Sequence, residues 1–417
     1  MRYVMTSFIV LLFVSRICNA EVSSIELPHN QEAFFKKHRH STDLILELSD
    51  VDTISPDIGQ LKDLHSLALV RTGDPGSRSN ITIPLELLNL PNFRTFKVYG
   101  LLSLHLPAGI NANQVHSHIE QVIATYWGKD SIPFLTNLPR LRSLILQRGR
   151  EEKLPTGFDR LHNLRELRIE GNSEPLSLDE NLCGFTRLER LELSTPLRSP
   201  LPFCLERLTR LKSVTMAVCR QEALPDKMKI YFPVALVSLP NLEELNLWDA
   251  GRIEMPKARY GLKKLRKLSI AGYPDRDLYV LCPAETEQAS GVNLNAVVGY
   301  SKLQKIILRA TGLDYKIPEL TYSEAERDGD MSDHDAPILG IRSFLAFVDA
   351  AWKKGKLHSL NQIYMTQPQF EDEPVKLIMV WERPSSRDES GNIIPTDDEY
   401  WMLKKERGKA SSANGAN

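Results

Sequence analysis

The sequence predicts an α/β solenoid in which each coil adds one short strand to a parallel sheet and returns through short helices or loops. Three observations predict it: a nine-residue apolar spelling that recurs along the chain, a preferred spacing of 23 residues between its copies, and an apolar–proline pair at a fixed distance behind them. One unit of this size cannot bury its apolar side alone, so neighbouring units must stack to make a continuous core.

The spelling is apolar-x-x-apolar-x-x-apolar-x-apolar. It begins at Leu61, Leu90, Leu138, Leu161, Phe185, Leu208, Leu239, Leu262 and Tyr300, with a first copy at Leu44-x-Leu46 and a degenerate one at Val122-x-Ala124. The seventh position of each tract, its anchor, falls at Leu44, Leu67, Phe96, Val122, Leu144, Leu167, Leu191, Val214, Leu245, Leu268 and Ile306. Successive spacings are 23, 29, 26, 22, 23, 24, 23, 31, 23 and 38, a repeat of about 23 with insertions. The closing apolar-x-apolar is a short strand buried on one face. Ten residues past the anchor stand Leu106-Pro107, Ile132-Pro133, Leu154-Pro155, Leu201-Pro202, Leu224-Pro225 and Met255-Pro256, with Ile83-Pro84 and Ile317-Pro318 displaced. Proline has no amide to donate and fixes φ, so it belongs in the segment leaving the strand.

On these residues the chain resembles the leucine-rich-repeat family, in the LP-containing class of about 23 residues found in plants and bacteria. The resemblance covers roughly residues 41–320. It implies a right-handed solenoid with the parallel sheet on its concave side. The family's asparagine five residues past the anchor is met only by Asn172; Ser49, Thr72, Cys219 and Thr311 stand at equivalent places. Hydroxyls and a thiol replace an amide in part, and the coil around Val122 is expected to be the most distorted.

The ends follow from composition. Arg2, the apolar run Phe8–Val14 and the small residues Asn19-Ala20 read as a signal peptide over 1–20 cleaved near Ala20, too short to span a bilayer. The expected destination is therefore secreted or periplasmic. Residues 21–43 form an N-terminal cap, with Asn30 capping a helix that carries Phe34 and Phe35. Residues 44–320 carry about eleven repeats and 321–337 an acidic linker. Residues 338–404 are a C-terminal cap or small α+β domain, with an amphipathic helix through Ile341, Phe344, Leu345, Val348 and Trp352 and a strand in 375–382. A disordered tail over 405–417 ends the chain.

Function is bounded by charge and by the motifs present. With 52 Lys and Arg against 53 Asp and Glu, the chain offers no electrostatic footprint for nucleic acid or anionic membrane, which leaves protein, peptide or glycan. No segment past the leader spans a membrane. No zinc-hydrolase, nucleophile-elbow or phosphate-loop spelling occurs, and Asp328, Asp330, Asp333 and Asp335 lack the glycine and glutamate of a calcium loop, so no cofactor or metal is expected. Cys219 and Cys282 read as buried thiols. Cys183 and Cys204 hold nearly equivalent places on adjacent coils, and a bridge is open to them in an oxidising compartment. The absence of cysteine-clustered caps favours a bacterial source.

The expected activity is binding, not catalysis: an exported repeat protein that holds a protein partner on its concave face, with a host protein as one candidate. The alternatives are an effector with ubiquitin-ligase-like activity in 338–404 and a structural envelope protein. Strand alternation turns the residues one before, one after and three after each anchor outward. On that basis Trp248 leads the candidate binding residues, with Tyr99, Arg168, Glu170 and Arg309; the position that follows, four past the anchor, adds Tyr126, Arg148 and Asp249. The charged residues of 165–192 have a competing use, pairing with each other across adjacent strands.

Overall fold

The computed structural model describes residues 24–48, 53–71, 79–100, 102–110, 114–125, 132–149, 152–154, 156–171, 175–195, 197–198, 201–217, 233–250, 252–254, 261–272, 279–281, 300–309, 359–360, 362–366, 378–382 and 402–406. The signal peptide, Tyr126, Asn172, the acidic linker, the amphipathic helix of 341–352, Cys219 and Cys282 lie outside them. The chain divides into two compact units, Met1–Pro202 and Phe203–Asn417.

In the first unit, strands β1 (Ile25–Glu26), β2 (Asp43–Glu47), β3 (Ser66–Val70), β5 (Thr95–Tyr99), β7 (Gln121–Thr125), β8 (Ser143–Gln147), β9 (Glu166–Glu170) and β10 (Arg190–Ser194) are neighbours in that order. The pairings between them are parallel, and anchor lies opposite anchor: Leu44 against Leu67, Leu67 against Phe96, Phe96 against Val122, Val122 against Leu144, Leu144 against Leu167, and Leu167 against Leu191. A one-residue slip would turn each apolar set to the other face, so burial of the anchors fixes this register. The anchors are buried together with the tract leucines before them, such as Leu61 and Leu64. Each buried side chain of this size contributes about 1.5–3 kcal/mol over leaving it exposed. Phe93, Phe96 and Phe134 continue the column, with ring centroids 5.7 and 6.0 Å apart.

In the second unit the same rule holds for β11 (Ser213–Ala217), β12 (Glu244–Ala250), β14 (Lys267–Gly272) and β16 (Lys305–Arg309): Val214 faces Leu245, Leu245 faces Leu268 and Leu268 faces Ile306. The ladder then runs one strand beyond the eleven tracts. Strand β17 (Gln362–Thr366) pairs parallel with β16 and sets Ile363 opposite Ile306. Leu357, Leu360, Ile363 and Met365 repeat the tract spelling, a copy that the sequence reading passes over within 338–404. Direction reverses after it, since β18 (Ile378–Glu382) and β19 (Met402–Glu406) add antiparallel. Strand β19 takes in Lys405 and Glu406, which the sequence reading assigns to the tail.

The segments that leave the strands make a second, shorter ladder. Strand β4 (Ser79–Thr82) pairs parallel with β6 (Leu102–His105) in the first unit, and β13 (Arg252–Glu254) with β15 (Tyr279–Leu281) in the second. The returns are short: α1 (Gln31–Lys37), α2 (Leu85–Leu88), α3 (Ile132–Thr136), α4 (Val234–Val237) and 3₁₀ turns such as Pro56–Gln60. Pro56 stands at the start of its turn, where the missing amide is not needed. Asn30 caps α1, its side-chain oxygen accepting from the Ala33 amide. Phe35 is buried, and Gln31 ties the helix to the next coil by donating to the Thr53 carbonyl and accepting from the Ser55 amide.

One expectation needs correction. The Val122 coil is in register on both sides: Val115 and Ile119 are buried there, and exposed His116 occupies the place of the first leucine. The irregular pairing among the described strands is instead β12 with β14, where the register shifts between Leu247 and Ala250. Asn172, Ser49, Thr72, Cys219 and Thr311 lie outside the described residues, and other asparagines join the coils. At the third tract position, Asn92, Asn163 and Asn241 donate to the carbonyls of Lys62, Pro139 and Thr209, each at the second position of the preceding tract. Arg187 and Lys264, at the same place one coil on, donate to the oxygens of Asn163 and Asn241. The coils are stapled before the strand, by amides that the family spacing does not single out.

Candidate functional site

The outward face of the sheet is set by the residues that flank the anchors, and its chemistry changes along the first unit. On β2, β3 and β5 the outward residues Ile45, Ala68, Val70 and Tyr99 form one buried cluster. Ile123 and Ile145 extend the buried apolar column on β7 and β8. Tyr99 is thus outward as its position predicts, but only 6% exposed, which corrects its reading as an exposed binding residue. A signal was present in the sequence: Leu67-Ala68-Leu69-Val70 is a continuous apolar run, the mark of a strand covered on both faces.

From β8 to β10, Ile145 apart, the face turns polar and its charged residues are matched to one another. Arg168 pairs with Glu170 at 2.5 Å and with Glu192 at 2.9 Å. Gln147 donates to Glu170, and the Ser194 hydroxyl donates to Glu192. One column over, Ser143 donates to Glu166, and Arg190 stands 3.6 Å from the same carboxylate. Arg168 and Glu170, expected at a binding surface, are here engaged with each other and with neighbouring strands, the competing use that the sequence allows.

Arg148 follows β8 and adopts φ 52°, a left-handed conformation. The same place, four residues past the anchor, holds Gly100 at φ 110° and Gly171 at φ 60°. A side chain in this region is strained by about 1–2 kcal/mol, so arginine stands where the coil calls for glycine. Its amide donates to the Glu170 carbonyl.

In the second unit the shifted pairing falls on the leading candidate. Register is continuous from Glu244 to Leu247, resumes at Ala250 opposite Gly272, and leaves Trp248 and Asp249 on β12 against Ala271 on β14. Two residues against one is a β-bulge, a device that re-aims side chains. On the other side Trp248 lies across from Ala217. Small residues therefore flank the half-buried indole: Ala217 on one strand, Ala271 and Gly272 on the other. Asn246, one step before, donates to the Thr215 hydroxyl. Arg309 closes β16 opposite Thr366 of β17. Sequence alternation finds Trp248 but not the bulge, which depends on how two strands of unequal length meet.

Two titratable groups depart from their ordinary behaviour. His118, at the third position of the degenerate tract, is held below the usual imidazole range by burial, then by the charges of Arg140 and Arg94, with His116 adding to them. Its Nδ1 is buried without a hydrogen-bond partner. Burial pushes the phenol of Tyr300 upward, where it replaces a tract leucine. Cys183 and Cys204, in the turns Glu180–Gly184 and Phe203–Arg207, are both disulfide-bonded.

The coil-by-coil register of apolar tracts defines the class: the structure is a leucine-rich-repeat solenoid with a parallel sheet and short returning helices and turns. No family model matches the chain, and no curated protein matches it. Among solved structures it is similar to an internalin of Listeria monocytogenes, at 16% identity over 66% of this chain and 82% of that one, with a TM-score of 0.36. It is also similar to a leucine-rich-repeat protein of Leptospira interrogans, at 16% identity over 69% of this chain and 94% of that one, with a TM-score of 0.29. TLR13, solved in complex with the RNA ssRNA13, is 16% identical over 66% of this chain and 46% of its own, with a TM-score of 0.38. At these scores the likenesses carry no argument about partner; the class rests on the register alone. No helix among the described residues is long and apolar enough to cross a membrane.

Proposed function

We propose that this chain is an exported, LP-class repeat protein that binds a protein partner on the outward face of its sheet, at the β12 bulge of the second unit. One observation carries the proposal: Trp248 and Asp249 interrupt the β12–β14 pairing between small neighbours. A large amphipathic ring in such a setting is the usual anchor of a protein interface. The first unit supports the choice by contrast, because its outward face is apolar and buried or polar and already matched. Asp249 in the bulge and Arg309 at the end of β16 are the further residues that this reading carries over from the sequence. A signal peptide cleaved near Ala20 would deliver the chain to the periplasm or the medium, and a host protein is one class of partner. We read the chain as a binding protein without catalytic activity; in support, β17, within the C-terminal region, adds one more parallel strand to the same sheet.

The test is affinity capture from candidate-host and self lysates with wild type, Trp248→Ala and Arg168→Ala as baits. A specific protein held by wild type and Arg168→Ala but lost by Trp248→Ala, with unchanged circular dichroism, supports the site. Equal capture by all three overturns it.

A further inference from the structure

In the second unit, the edge of the solenoid that leads into the strands carries a cationic row that no acid among the described residues neutralises. The third tract position holds Arg210, Asn241, Lys264 and Lys302 on consecutive coils, and Lys212 and Lys263 stand beside them. The strand register stacks these positions, so the row advances by ~4.8 Å per coil and spans ~14 Å from Arg210 to Lys302. Among the described residues, three carboxylates share this edge. Glu243 is matched by Arg266 at 3.7 Å and Glu244 by Lys267 at 3.5 Å, while Glu206 is exposed. Lys264 donates to Asn241. Arg207, Arg210, Lys212, Lys263 and Lys302 are exposed and have no partner among the described residues. The equivalent edge of the first unit differs: there Arg94 and Arg142 share Glu120, and Arg165 pairs with Glu189.

We propose that this row binds a linear sulfated polysaccharide. Unmatched charges at a regular rise suit a polyanion that follows the solenoid axis and carries its charge on its outside. Arginine adds bidentate sulfate recognition, and lysine adds point charges. Single-stranded nucleic acid fits less well, because it is held by aromatic side chains interleaved with the cations. Phe203, 81% exposed in the turn before Arg207, is the exposed large hydrophobic residue among those described, and no later coil repeats it. The polysaccharide reading does not depend on the bulge, which lies on the sheet face and not on this edge.

The experiment uses the full chain on immobilised heparin, with elution by rising salt and with oligothymidylate, duplex DNA and uncharged dextran as competitors. Wild type is expected to be retained at low salt, to elute as salt screens the row, and to be displaced by soluble heparin but not by the other three. The variant Arg210→Ser, Lys212→Ser, Lys263→Ser, Lys302→Ser should bind heparin at least about tenfold more weakly with an unchanged circular dichroism spectrum. A control with the same loss of charge in the first unit, Lys36→Ser, Lys37→Ser, Lys62→Ser, Arg160→Ser, should bind as wild type does. Passage of wild type through the column, equal losses in both variants, or displacement by either nucleic acid as effectively as by heparin overturns the proposal.

Discussion

On β2, β3 and β5 the outward residues Ile45, Ala68, Val70 and Tyr99 form a buried apolar cluster, whereas on β8–β10 Gln147, Arg168, Glu170 and Glu192 form a polar ladder. Both stretches belong to the first unit, share one register and sit over the same kind of leucine core. The apolar stretch gains by removal of carbon surface from water, a gain that neither salt nor pH removes. The ionic stretch gains from charges that remain about a third exposed, so most of that attraction is offset by hydration. A repeat geometry that is indifferent to its outward residues can thus hold a hydrophobic patch and an ion-pair ladder a few strands apart.

Mutation can break that comparison at either end. Tyr99→Ala empties the largest member of the apolar cluster and should destabilise the chain by about 3 kcal/mol in urea unfolding, with little dependence on salt. A cost below about 1 kcal/mol would mean the cluster is cover and not core. In the second unit, Gly261→Ala would place a Cβ 2.0 Å from the Val237 carbonyl oxygen, and an overpacking cost of about 1–3 kcal/mol is expected from the same assay. Arg148→Gly should stabilise by about 1 kcal/mol through relief of its left-handed backbone. Arg168→Ala should cost about 1 kcal/mol or less and lose even that in molar salt; a larger, salt-insensitive cost would show the ladder to be buried in effect.

The smallest effect is a pH dependence. Burial and the neighbouring arginines lower the His118 pKa in the folded state, so the unfolded chain takes up the proton first as pH falls. Its influence is absent above the ordinary value of 6.5, grows as pH drops from there toward the folded pKa, and lowers stability. Thermal melts from pH 7.5 to 5 should fall less steeply for His118→Gln than for wild type; parallel slopes would remove the histidine from the account.

Strand positions and their mutual register were legible in the sequence because one apolar period fixes both. The anchors named from spacing pair with each other wherever a pairing is described. The twelfth strand was hidden by distance: 57 residues separate Ile306 from Ile363, far beyond the period, though the spelling recurs at Leu357. For the site, alternation found which residues face outward but not which of those are covered. Tyr99 and Trp248 hold the same place relative to their anchors, and only the strands around them make one buried and the other half-buried. Arg148 was named for its place in the coil but not for its left-handed backbone, which has no mark in composition at a non-glycine residue.

Within each unit the anchors stay opposite one another whether the chain between them takes 22 residues or 38. The sheet does not register how long the return path is: the strand pairings keep anchor opposite anchor at every spacing. Length variation and outward-face chemistry are therefore separate hereditary variables. A lineage can lengthen, shorten or exchange the returns between coils without altering which side chains face outward, and it can rewrite that face without refitting the returns. The same independence makes the longest connections natural sites for grafting a foreign peptide, with the ladder itself as the reporter that nothing else has changed.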